Sequence, residues 1–315
     1  MAKVPVGKTI AFSYGFTLGN IGAIIGQIWL PMLLLTLGSY FVLSPYYESF
    51  SRAVAEDNTA LVGQAAVTLL LYSLVSLIFY AMIYVTLTRH ALGQPHSHSL
   101  LHFSLGAAEW RMYGALLALA FVLIILLIFI VLAATLLGVL ATAILGAAGM
   151  APEVAQIANG IAPKTVSAPV AAVGSLISLF IVCAATYVFV RLFFVLAPVT
   201  VAEEQISLGR GWQLTAKNFW RLFAILVATL GPLFVVIVIC QAFVLGPDSM
   251  LPHGDGSFAE TAARMEKMRP NLPILYGLSF VFSPFLFGLL LGASAFAYRT
   301  LVPPPAARGV ILDVP

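Results

Sequence analysis

Residues 113–146 read YGALLALAFVLIILLIFIVLAATLLGVLATAILG, thirty-four positions without one charged side chain. As a helix this stretch is about 50 Å long, well beyond the roughly 30 Å of a bilayer's hydrocarbon core. It offers water no polar face, so a soluble fold would have to bury it on every side. The rest of the chain cannot supply that cover. It is 61% hydrophobic and 9% charged overall, against roughly 25% charged for a soluble domain. Only a membrane accommodates such a sequence.

Apolar windows long enough to cross a bilayer lie near 18–43, 61–88, 113–146, 169–197, 219–245 and 272–298. They predict an all-α, polytopic integral membrane protein with six transmembrane helices, a single membrane domain over 1–298 and a short tail over 299–315. The third window exceeds what a span needs, so it tilts or projects beyond the bilayer. Pro31, Pro198, Pro232 and Pro284 fall in or beside windows and predict tolerated kinks. Lys3 and Lys8 precede a first apolar run too long for a signal-peptide core, which predicts a retained first span. Cys183 and Cys240 lie in apolar runs and have neither disulfide nor metal-ligand spacing.

Lys and Arg set the expected orientation. With the N-terminus inside, ten fall on the cytoplasmic side: Lys3, Lys8, Arg89, Arg111, Arg191, Arg210, Lys217, Arg221, Arg299 and Arg308. Five fall outside: Arg52, Lys164, Arg264, Lys267 and Arg269. Both termini are therefore expected in the cytoplasm. On the outer side, Ser44 with Pro45 predicts a helix start. Ser257 with Glu260 predicts a capping box for a short interfacial helix bearing Phe258, Ala262 and Met265 on one face.

Three hairpins resemble one another. Asn20 and Asn218 stand where N-caps belong, Trp110-Arg111 and Trp220-Arg221 repeat, and even-numbered spans close on Arg89, Arg191 and Arg299. This predicts three pseudo-repeated hairpins related by an axis along the membrane normal; the positive-inside rule and interfacial tryptophans produce the same pattern without a repeat. Gly22 and Gly26 form a GxxxG pattern, which predicts close helix packing.

One segment is polar, EEQISLGRGWQLTAKNFWRLF at 203–223. Leu208, Trp212 and Thr215 fall on one helical face there, and Glu203-Glu204 is placed to pair with Arg191 or Arg210. The candidate lipid-binding residues are Arg191, Arg210, Lys217 and Arg221, with Arg89 and Arg299 at the same end. Each basic residue near the surface attracts anionic lipid by about 1 kcal/mol. A generic membrane anchor accounts for the same residues.

The run LAPVTVAEEQISLGRGWQLTAKNFWRL at 196–222 is similar to the signature of the YciC-like bacterial inner-membrane proteins. It also resembles the membrane domain fused to some glycerophosphodiester phosphodiesterases. The matching residues are Leu196-Ala197-Pro198-Val199, Leu214-Thr215, Asn218 and Arg221-Leu222. The resemblance implies an all-helical bacterial inner-membrane protein with six spans and cytoplasmic termini. The fused proteins' phosphodiesterase chemistry resides in a separate soluble barrel, for which this chain has no segment.

His90, His96, His98 and His102 lie in RHALGQPHSHSLLH at 89–102. His98 and His102 have the i, i+4 spacing that suits a late transition metal, although no cysteine or adjacent carboxylate completes a set. A solvated loop explains the same composition, and no cofactor is expected. No Asp, Glu, Lys or His falls inside an apolar window, which argues against proton-coupled or metal-ion transport, haem and intramembrane catalysis. The expected function is non-enzymatic: contact with anionic phospholipid at the basic end, in membrane organisation or with a membrane-protein partner. The alternative is transport of a small neutral or anionic solute through the three hairpins.

Overall fold

The structure, a computed structural model, describes residues 3–55, 59–94, 105–145, 168–246 and 267–302. Among them every regular element is helical: α1 (Val6–Gly19), α2 (Ile21–Ala55), α3 (Thr59–Ala91), α4 (Ala107–Leu145), α5 (Ala168–Phe193), α6 (Leu196–Ala202), α7 (Leu208–Thr215), α8 (Phe219–Leu245) and α9 (Leu272–Leu301), the last preceded by a 3-10 turn at Arg269–Asn271. Six segments are long and apolar enough to cross a membrane: Ile21–Phe50, Ala60–Ala91, Ala107–Leu137, Ser178–Ala202, Phe219–Leu245 and Arg269–Leu301. This is the architecture of a multi-pass membrane protein. The outer helix expected after Ser257 lies outside the described residues.

Two boundaries differ from the expectation. Ser44 and Pro45 start no new helix, because α2 runs through Pro45 to Ala55. A proline bends a helix but does not end it where neighbours hold both sides. Here Glu48, on the next turn, is held by Arg269 at 2.7 Å and by Arg52 at 3.3 Å. Pro198 lies in the crossing segment Ser178–Ala202, but the segment is broken, not merely kinked: a turn at Phe194 and Val195 ends α5, and Pro198 sits inside the short α6, buried except at Ala202.

The chain forms two compact units, residues 1–117 with 191–315, and residues 118–190. The first is organised around α1, which packs against both α8 and α9. Thr9, Ser13 and Thr17 recur every fourth residue and are buried along one face of α1. Thr9 and Thr17 turn their hydroxyls onto the carbonyls of Pro5 and Ser13, at 2.8 Å each. The stripe therefore presents a small surface with its polarity satisfied. α9 meets it with Gly288 and Gly292. A Cβ added at Gly288 would lie 2.8 Å from Thr17 Cγ2, and one at Gly292 would lie 2.9 Å from Phe16 Cδ1. Ser13 Oγ donates to Leu289 O at 2.5 Å, and Tyr14 Oη donates to Thr229 O at 3.0 Å, so α1 is fastened to α9 and to α8.

Asn20 stands in the expected N-cap position ahead of α2, but its side chain does not cap that helix. It closes α1, donating from Nδ2 to Phe16 O at 2.9 Å, while its own carbonyl accepts from Ile24 N at 2.9 Å. The chain thus enters as a broken helix, with one face of α1 buried ahead of the first predicted window. Gly22 and Gly26 form no packing seam among the described residues, since an added Cβ would meet nothing within 4 Å at either.

α2, α3 and α9 complete this unit. The rings of Tyr80 and Tyr84 lie 6.1 and 5.9 Å from Phe287. Tyr72 shares a hydrogen bond with Ser39 across the α2–α3 seam. In the second unit, α4 carries exposed apolar side chains, Phe129 and Leu136 among them. That exposure has no aqueous rationale and suits hydrocarbon.

Candidate functional site

The expected basic cluster gathers at one end of the first unit, where α3, α5 and α9 close and α4 and α8 begin. Sequence dictates its frame. Glu109 stands at the third position of α4 and accepts from Gly106 N at 2.9 Å, the returning half of a capping box. Ser207 caps α7 by accepting from Arg210 N at 3.1 Å. Asn218 opens α8, but its Oδ1 accepts from Val4 N at 3.2 Å rather than from its own helix.

Four of the six candidate residues are engaged within the fold. Arg191 is 5% exposed. Its guanidinium lies 3.6 Å from the centre of the Trp212 ring, and Nη2 donates to Trp212 O at 2.7 Å. Thr215 Oγ1 donates back to Arg191 O at 3.1 Å, so the end of α5 and the whole of α7 are locked together. A desolvated cation over an aromatic ring is worth about 2 kcal/mol. Arg210 donates through Nε to Glu203 Oε1 at 3.1 Å, and Tyr298 Oη donates to the same oxygen at 3.2 Å. Gln205 Nε2 donates to Glu203 Oε2 at 3.0 Å. Arg221 Nη1 donates to Val4 O at 3.1 Å. Arg89 faces the buried Glu109 carboxylate at 3.8 Å. The remaining two, Lys217 and Arg299, are exposed, and Arg299 lies against Gly93.

The acidic pair divides its partners. Glu203 takes Arg210, one of the two expected, and Glu204 takes Arg111. Arg111 Nη1 donates to Glu204 O at 2.7 Å and to its carboxylate at 3.1 Å. Glu204 adopts φ 54°, a left-handed conformation that disfavours any side chain by about 1–2 kcal/mol. The Arg111 clamp and Ile206, packed on Gly114 of α4, hold the bend in that shape.

What the arginines do not offer outward, other residues do. Lys3 and Lys8 flank the clamped Val4 and are exposed, and Lys217 sits beside Asn218 with its side chain exposed. Trp220, the second residue of α8, is 76% exposed. The two hydrogen bonds on Val4 bring the N-terminal segment to the start of α8, with Asn218 214 residues away in sequence. No local signal in the sequence announces that meeting. The capping role of Glu109 was legible, three residues after a glycine that precedes an apolar run.

His96, His98 and His102 lie outside the described residues. His90 is described, with Nδ1 2.9 Å from Gln27 Nε2 and its ring edge-on to Phe16. Among the described residues no three His, Cys, Asp or Glu side chains are grouped to hold a metal ion. Compared with protein-family models, curated proteins and solved structures, the chain matches none.

Proposed function

We propose that this chain is a non-enzymatic bacterial inner-membrane protein whose basic end faces the cytoplasm and engages anionic phospholipid headgroups. The Lys and Arg distribution supports that orientation, ten against five. The observation that carries the lipid reading is the Val4 clamp, which ties the N-terminal segment carrying exposed Lys3 and Lys8 to the start of α8, where Lys217 and Trp220 are exposed. Three lysines at the surface contribute about 3 kcal/mol of attraction to an anionic leaflet, roughly a hundredfold in affinity. A tryptophan at the same depth anchors the platform in the interface. In this reading Arg191, Arg210, Arg221 and Arg89 build the platform, while the lysines and Arg299 meet the headgroups. Residues 196–222, which resemble the YciC-like group, supply most of its frame.

Native mass spectrometry of the purified chain, exchanged between phosphatidylglycerol and phosphatidylcholine, tests this. The wild type retains phosphatidylglycerol selectively, and the Lys3→Gln, Lys8→Gln, Lys217→Gln triple variant loses the selectivity with an unchanged thermal midpoint. Equal retention of both lipids by the wild type overturns the reading.

One observation favours the alternative, transport of a small neutral or anionic solute. Among the described residues the hydroxyls of Thr88, Thr200 and Thr229 are buried and find no hydrogen-bond partner, which leaves polar capacity inside the bundle for a solute to use. Flux into proteoliposomes above the empty-vesicle rate, lost in Thr200→Val, would establish it.

A further inference from the structure

We propose that a groove between α2 and α3 seats one acyl chain of a lipid from the leaflet opposite the basic end. The groove has a volume of about 380 Å³ and is walled by Leu34, Gly38 and Val42 of α2 and by Leu71, Val75 and Phe79 of α3. Both walls belong to membrane-crossing segments, so the inference rests on the six-span architecture and not on the headgroup reading above.

The chemistry of the walls selects an occupant without hydrogen-bonding groups. Three hydroxyl residues border the groove, and each is engaged within the protein, Tyr72 with Ser39 as well as with backbone. Thr68 Oγ1 donates to Gln64 O at 3.0 Å, Ser76 Oγ to Ser73 O at 2.8 Å, and Tyr72 Oη to Leu35 O at 3.3 Å. A hydrated solute would find no free hydroxyl donor there and would lose most of its own hydration.

Depth and size select a single chain. From Thr68 to Phe79 the wall is about 16 Å long, close to the roughly 15 Å of one leaflet's hydrocarbon. Phe79 lies about 15 Å along α3 from Arg89, so the inner end of the groove reaches the midplane and its mouth opens at the far interface. Aromatic rings mark that interface. Tyr40 pairs with Tyr276 and Tyr46 with Tyr47, beside the Arg269–Glu48 ion pair. A helix of the same length displaces roughly 1,200 Å³, several times the volume available. Gly38 keeps the groove open, since a side chain there would project into it.

The test uses the full chain in phosphatidylcholine nanodiscs in which the lipid carries a chain-borne diazirine. After irradiation, adducts are mapped by peptide mass spectrometry. Labelling of Leu71 and Val75 is expected to exceed that of the similarly exposed Leu127 and Phe129 by about fivefold, the preference that about 1 kcal/mol confers. Gly38→Phe should bring it down to the Leu127 level. Its Cβ would stand 3.5 Å from Tyr72 Cε2, an ordinary contact. Val75→Trp, which fills the groove from the other wall, serves if Gly38→Phe lowers the thermal midpoint. Groove labelling equal to that of Leu127 would mean ordinary boundary lipid and would overturn the proposal. So would crosslinks joining Leu71 to another protein segment, which would show that protein covers the groove.

Discussion

Gly22 with Gly26 and Gly288 with Gly292 are the same motif, two glycines four residues apart in an apolar helix, and they have opposite surroundings. At the second pair α1 approaches so closely that a single methyl group would collide with Thr17 or Phe16. At the first, a methyl group would meet nothing within 4 Å. Two glycines make close approach possible but do not cause it. The cause lies on the facing helix. α9 meets a stripe of Thr9, Ser13 and Thr17 whose hydroxyls are already satisfied, and Ser13 adds a bond to Leu289 O. Without a hydrocarbon-to-water driving force between helices in a bilayer, that match of small surfaces and hydrogen bonds is what holds them together.

The contrast can be broken most forcefully at Gly292. Gly292→Leu should abolish the folded, monodisperse species in detergent, because Phe16 on α1 cannot withdraw without opening the seam. Gly288→Ala should destabilise by about 1–3 kcal/mol, the usual scale of overpacking, seen as a lowered thermal midpoint. Adding Thr17→Ala should recover most of that loss, and strict additivity of the two changes would deny the contact between them. Ser13→Ala should cost about 1 kcal/mol through its lost hydrogen bond. Smallest of all, Gly22→Ala and Gly26→Ala should leave the midpoint unchanged or raise it by the equivalent of about 0.5 kcal/mol, because alanine stiffens a helix that has room for it. A marked loss at Gly22 would reveal a partner surface there.

The spans were legible because hydrophobic length is a local property. The window at 219–245 coincides with α8, and the other five are recovered with ends displaced by up to nine residues, about two and a half turns. Where the reading failed, residue type could not say which way a side chain turns, whether its partner is four residues away or 214. Asn20 and Asn218 are equally good caps by type, yet Asn20 ends a helix and Asn218 turns to Val4. The α1 stripe escaped notice because Thr9, Ser13 and Thr17 register as neutral in a hydropathy window; their four-residue spacing was the available signal. At the basic end the sequence identified the residues but not their directions. Arg191 and Lys217 differ little as charges, and only the fold places one against Trp212 and leaves the other exposed.

The Val4 clamp also orders events during synthesis. Val4 leaves the ribosome more than two hundred residues before Asn218 and Arg221 exist to receive it. At 5–20 residues per second that interval is about 10–45 s. Through it the α1 stripe has neither α8 nor α9 to cover it. The N-terminal helix is thus the first part of this bundle to be made and among the last to find its place, and whatever keeps it from other partners in the meantime has to act over that whole interval.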